Sequence, residues 1–128
     1  MQAITLEWVD RAEEDWDIAG LALRSRKTPR YNGVCFHTQQ CAEKYLKARL
    51  QEDGVVFPKT HDLNVLLDLL LPSYPLWAAL RPALLLLKDY AVDFQYPGET
   101  ADKAEAREAM RLCRGVRETV RVSLGPLP

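Results

Sequence analysis

Glycine is scarce in this chain, and its six glycines nowhere build the glycine-rich loop that cradles phosphates in P-loop proteins. Histidine is scarcer. The only two, His37 and His61, lie far apart, outside any HExxH pattern, and no pair of carboxylates stands beside either at helical spacing. Neither a metal centre nor a cofactor is therefore expected. No EF-hand loop and no nucleophilic triad are recognisable. The three cysteines, Cys35, Cys41 and Cys113, are odd in number and lack a CxxC spacing. On a helix Cys35 and Cys41 are separated by roughly 9 Å along the axis, too far for a disulfide. They read as reduced packing residues of a cytoplasmic protein. No stretch of about 18 uncharged apolar residues is present, so no membrane span is expected. The acidic N-terminus has no basic region leading into an apolar run, which argues against a signal peptide. Alternating patterns long enough for a sheet, internal repeats and low-complexity tracts are also missing.

What is present is a soluble composition, 48% hydrophobic and 27% charged over 128 residues. A chain of that length suits a single domain, 1–128, that buries roughly two-thirds of its unfolded surface. The net charge of -1 provides no global attraction to nucleic acid, but the charge is uneven. Glu7, Asp10, Glu13, Glu14, Asp15 and Asp17 crowd the first twenty positions, and Lys103, Arg107, Arg111, Arg114, Arg117 and Arg121 the last twenty-six. Pairing between the two terminal helices is the simplest use for both clusters, with the early acids otherwise a solvated face that favours the helix dipole.

Apolar spacing of three and four residues predicts helices over about 6–24, 31–52, 63–71 and 101–123. A further helical stretch over 73–94 is expected to be interrupted or kinked at Pro82. Thr5 or a neighbour is a candidate cap for the first helix, Thr60 or Asp62 for the third, and Thr100 or Asp102 for the last. Leu84 to Leu87 is apolar on every side and suits the middle of a bundle or a subunit interface. The fold class is all-α: an up-and-down bundle of about five helices.

The second helix sorts two chemistries. Val34, Cys41, Ala42, Tyr45 and Leu46 share one arc, with Thr38 and Arg49 intruding, while His37, Gln40, Lys44, Lys47 and Gln51 share the other. A row of imidazole, amide and ammonium groups suits a phosphate or an acidic partner. It also suits an ordinary solvated face, and Glu43 with Lys47 forms an i,i+4 pair that competes for the lysine. His61 and the turn Gln95-Tyr96 are candidates to join the row, giving the ligand-binding set His37, Gln40, Lys44, Lys47, His61, Gln95 and Tyr96.

Several blocks in order, CFHTQQCAEKYLKARL at 35–50, KTHDLNVLL at 59–67 and DFQYPG at 93–98, together with Trp8 and Asp15-Trp16, resemble the HEPN (higher eukaryote and prokaryote nucleotide-binding) domain family. The resemblance covers about Leu6 to Val122. It implies a five-helix bundle that usually forms a homodimer. It also implies either half of a toxin–antitoxin pair with a minimal nucleotidyltransferase partner, a nucleotide-binding or association role, or a metal-independent ribonuclease acting on RNA. Ribonuclease members carry Arg followed four to six residues later by His in a late helix. Here Gln95 precedes Tyr96-Pro97 where related members often have Arg, and no histidine follows. Arg30 and His37 match the spacing only formally, at the start of the second helix. The expectation is therefore a non-catalytic binding component. The alternatives are a ribonuclease using His37 or His61 as acid or base, and a purely structural association domain.

Overall fold

A computed structural model describes residues 1–128 and contains five α-helices: α1 (Ala3–Arg24), α2 (Tyr31–Glu52), α3 (Leu63–Leu70), α4 (Arg81–Asp93) and α5 (Lys103–Leu124), with a 3-10 helix (Pro75–Leu80) before α4. The all-helical expectation holds. Helix α2 packs against each of the other four. Of its 22 residues 13 are buried, so its polar groups must find partners inside the fold rather than in water.

Chain direction follows from the cross-links. Helices α1 and α2 form an antiparallel hairpin: Thr5 Oγ1 donates to Glu52 at one end, and the Arg30 amide donates to the Ala22 carbonyl at the other. Helix α5 runs alongside α2 in the same direction, tied by the Ala101 amide to Asn32 near the start and by Arg49 to the Ser123 carbonyl near the end. Helix α4 runs back along α3, with Arg81 bound to Asn64 and Asp68 and Lys88 bound to Asp62. Direction thus reverses at every connection but one. Between α2 and α3 the chain returns along the bundle, so α3 starts beside the middle of α2, where Gln39 Nε2 donates to the His61 carbonyl, and finishes near its end, where the Tyr74 hydroxyl donates to Asp53.

That return begins at a well-formed helix stop. Gly54 takes φ +69°, and the amides of Gly54 and Val55 donate to the carbonyls of Gln51 and Leu50, a Schellman arrangement that a Cβ would strain. Phe57 of the returning segment meets the edge of Trp8, 6.2 Å between ring centroids. The core beneath is formed by Tyr45, Leu46 and Leu50 of α2, Leu63, Leu66, Leu67 and Leu70 of α3, Leu84 and Leu87 of α4, and Val116 and Val120 of α5. Each buried leucine contributes about 1.5–3 kcal/mol. All three cysteines are free and buried, and burial pushes the Cys35 thiol up to about 12. No helix is long and apolar enough to cross a membrane.

Several local expectations are corrected. Helix α1 begins earlier than Thr5, with Gln2 at its N-cap, which leaves the Thr5 hydroxyl inside the helix and free to cross to Glu52. The helical stretch over 73–94 is interrupted as expected, a 3-10 helix giving way to α4 at Arg81, but no helix is kinked by Pro82. It sits in the first turn of α4, where the missing amide would have had no partner, and the segment before it is 3-10. Leu84 and Leu87 are buried but Leu85 and Leu86 are exposed, because steps of 100° carry the middle pair to the outer side. Asp62 caps α3, and Asp102 with Glu105 forms a capping box on α5.

The terminal helices pair as their charges suggest. Arg117 donates to both oxygens of Glu13 at 2.7 and 2.6 Å, the Tyr45 hydroxyl donates to Glu13 at 2.5 Å, and Arg121 donates to that hydroxyl at 3.0 Å. Burial acts to raise the Glu13 carboxyl, but the bonds from Arg117 and Tyr45 and the nearby cations outweigh it and hold the group below its ordinary value. A depressed folded value means that this stabilisation is complete above the unfolded carboxylate value of about 4.3 and is lost as pH falls from there through the folded value. Thermal scans should show a midpoint that drops on acidification through that window. The Glu13→Gln variant is expected to have a lower midpoint at neutral pH and a shallower acid limb. An unchanged acid limb would remove Glu13 from the account.

Candidate functional site

Two carboxylates organise the polar side of α2. Asp15 of α1, only 6% exposed, binds His37 Nδ1 through Oδ1 at 2.7 Å and Lys44 Nζ through Oδ2 at 2.5 Å. His37 and Lys44 stand seven residues apart, two turns on one face, so a single carboxylate on the antiparallel neighbour reaches both. Glu43, 2% exposed, does the same on the other flank. Its Oε2 accepts from Lys47 Nζ at 3.0 Å and its Oε1 from His61 Nδ1 at 2.9 Å. Lys47 is itself buried at 6%, with its ammonium 5.5 Å from the centroid of the Trp8 ring.

Three members of the polar row, His37, Lys44 and Lys47, are thus drawn into a network of internal carboxylates, while Gln40 stays outside it. Lys47 is withdrawn from the surface because Trp8, backed by Phe57 of the returning segment, lies over it. His37 and Lys44 are partly exposed but share Asp15. Gln51 is the one member turned to the bundle end, where its amide donates to the Gln2 side chain. The acids of α1 are likewise not all a solvated face, since Asp15 is buried. The burial of Asp15 was hidden in the sequence by its acidic neighbours, and its reach to α2, 22 and 29 residues along the chain, exists only in the folded hairpin.

His37 and His61 are held by different carboxylates on different elements and do not form one centre. Their surroundings differ. A groove of about 500 Å³ between α2, the cap of α3 and α4 is lined by Phe36, Gln39, Gln40, His61, Asp62, Lys88, Ala91, Val92 and Gln95, a size suited to a small molecule. Three sequence candidates, Gln40, His61 and Gln95, meet there. His37, Lys44, Lys47 and Tyr96 do not line it. The His61 side chain is 82% exposed. Its Nδ1 proton is committed to the carboxylate, which leaves Nε2 as a lone-pair acceptor in the neutral ring. Lys88 donates to Asp62 Oδ2 at 3.0 Å. Burial acts to raise the Asp62 carboxyl, yet the bonds from Lys88 and the Asn64 amide hold it below its ordinary value. The groove's opposite charges thus satisfy each other. Phe36, Lys88 and Val92 were not foreseen as lining residues. The exposure of Phe36 in an otherwise apolar-in helix was the available signal.

No three or more His, Cys, Asp or Glu side chains cluster so as to hold a metal ion.

The profile of the HEPN domain matches residues 5–123, nearly the whole of the bundle just described. The chain belongs to the HEPN domain family. Over 50 residues this HEPN domain is 42% identical to a protein of Methanocaldococcus jannaschii named "Putative toxin MJ1304", a stretch covering 39% of this chain and 31% of that protein. The match thus spans less than a third of the relative's length. No solved structure matches the chain.

The Glu43 pairing in this HEPN domain is open to direct test. Glu43→Gln strands the Lys47 ammonium in the interior and is expected to cost about 3–5 kcal/mol in denaturant unfolding, the usual penalty for breaking a buried pair. Adding Lys47→Met should recover most of the loss, because the uncompensated charge goes with it. A small single-variant effect, or a double variant no better than the single, would contradict the pairing's structural role.

Proposed function

We propose that this chain is a homodimeric, non-catalytic HEPN component that binds a nucleotide or a minimal nucleotidyltransferase partner in a toxin–antitoxin-type pair. The observation that carries the reading is the groove. It is open, it is of ligand size, and it gathers Gln40, His61 and Gln95, while Lys88 is paired with Asp62 on its own wall and Lys47 with the buried Glu43. Family membership supports it, as does the toxin in the name of the M. jannaschii relative. Millimolar nucleoside triphosphates should raise the thermal midpoint of the chain, since a ligand specific to the native state at 100 times its dissociation constant adds about 2.7 kcal/mol of stability. No shift with any of them would reject the nucleotide half of the proposal. Co-purification with a co-expressed minimal nucleotidyltransferase tests the other half.

One observation favours a second reading, metal-independent ribonuclease activity. A buried carboxylate on Nδ1 orients an imidazole and leaves Nε2 facing a cleft, an arrangement suited to general acid–base work. Against it, the groove holds no arginine to stabilise a phosphorane, and its one lysine is paired with Asp62. RNA incubated with the protein in EDTA is expected to stay intact. Cleavage that His61→Ala abolishes would establish the ribonuclease reading instead.

A further inference from the structure

We infer that the groove between α2 and α4 recognises a neutral heteroaromatic base, and that a nucleotide bound there is held by its base and not by its phosphates. The inference rests on the nucleotide-binding reading above and reverses the phosphate preference that the histidine and lysines of α2 suggest in sequence.

The groups available to a ligand decide it. The side-chain amides of Gln40 and Gln95 line the groove and form no hydrogen bond within the protein, and His61 Nε2 is free because Nδ1 is bound to Glu43. Two amides offer donors and acceptors together, and the imidazole adds an acceptor. All three are uncharged in the neutral imidazole form. The groove's only ammonium, on Lys88, is already bound to Asp62. A phosphate placed there meets a carboxylate as well as an ammonium and gains little. The lysines of α2 cannot compensate, since Lys47 is buried on Glu43 and Lys44 belongs to Asp15 on the far flank.

The walls suit the faces of a flat ring. Phe36 and Val92 are 47% and 49% exposed and line the groove with Ala91, so apolar surface stands beside amides. An aromatic side chain offers a stacking surface of about 1–3 kcal/mol per base, and a glutamine amide can pair with two edge atoms of a base at once. An aliphatic ligand would leave the amides unmatched. A free phosphate would leave the apolar surface unused.

The test titrates the 128-residue chain with adenosine, guanosine, cytidine and uridine, with their 5′-triphosphates, and with inorganic tripolyphosphate, reading the thermal midpoint and the binding heat at low and high salt. At least one nucleoside should bind within about threefold of its triphosphate, with little salt dependence, as expected where no net charge is recognised. Tripolyphosphate should leave the midpoint unchanged. Val92→Trp, which fills the groove from an exposed position, should abolish nucleoside binding while the unliganded midpoint is kept, and Gln40→Ala with Gln95→Ala should weaken it at least tenfold. Binding by triphosphates or tripolyphosphate alone would overturn base recognition and leave the nucleotide reading standing. No binding by any of these ligands would overturn both.

Discussion

Burial of α2 on nearly all sides is the constraint from which the rest of the structure follows. A helix carrying His37, Thr38, Gln39, Glu43, Lys44, Lys47 and Arg49 packs against four neighbours at low cost only if its polar groups are given partners, and among its buried side-chain nitrogens and oxygens Arg49 Nε alone has none. The neighbours provide them. Asp15 comes from α1 and Ser123 from α5, the His61 carbonyl comes from the segment before α3, and Asp53 lies at the end of α2 itself. Thr38 turns its hydroxyl back onto the carbonyls of Val34 and Cys35. Such pairings add little net stability compared with an apolar core but penalise any misregistered packing, because a shifted helix would leave a charge stranded. The depressed Glu13 carboxyl applies the same logic between α1 and α5.

The returning connection between α2 and α3 is what converts this packing problem into a site. It carries His61 back to the middle of α2, where Glu43 fixes the ring, and carries Phe57 onto Trp8, closing the surface above Lys47. One side of the helix is sealed by that path and the other is left as a groove facing α4. The chemistry left exposed in the groove is therefore what the internal pairings did not use: two amides, one imidazole nitrogen and apolar walls.

Much of the fold was legible in sequence because helix spacing and stop signals are local. The bounds of α2, the helical count and the caps of α3 and α5, narrowed to two candidates each, follow from residues within a few positions of one another. The Glu43–Lys47 pair was visible at i,i+4 and is present. The site was less legible, since its character depends on contacts between distant segments. Lys47 looks solvated on a helical wheel and is buried only because residues 8 and 57 converge on it. Asp15 looks like one acid among six and is the one that is buried, with Glu13 half-buried beside α5. Lys88 and Val92 carry no motif, and only the antiparallel course of α4 places them opposite Gln40. Helical spacing recovered Gln40, and the cap and the turn offered His61 and Gln95 as its companions. The row suited a phosphate or an acidic partner as well as water, because spacing could not see which cations were already taken.

Amide chemical-shift mapping of the isotopically labelled chain with a nucleoside tests the central claim most directly. Perturbations are expected to gather on Phe36, Gln40, His61 and residues 91–95, the two banks of the groove. Perturbations centred instead on Asp15, His37 and Lys44 would show that the charged flank of α2 is the binding face and would contradict the account.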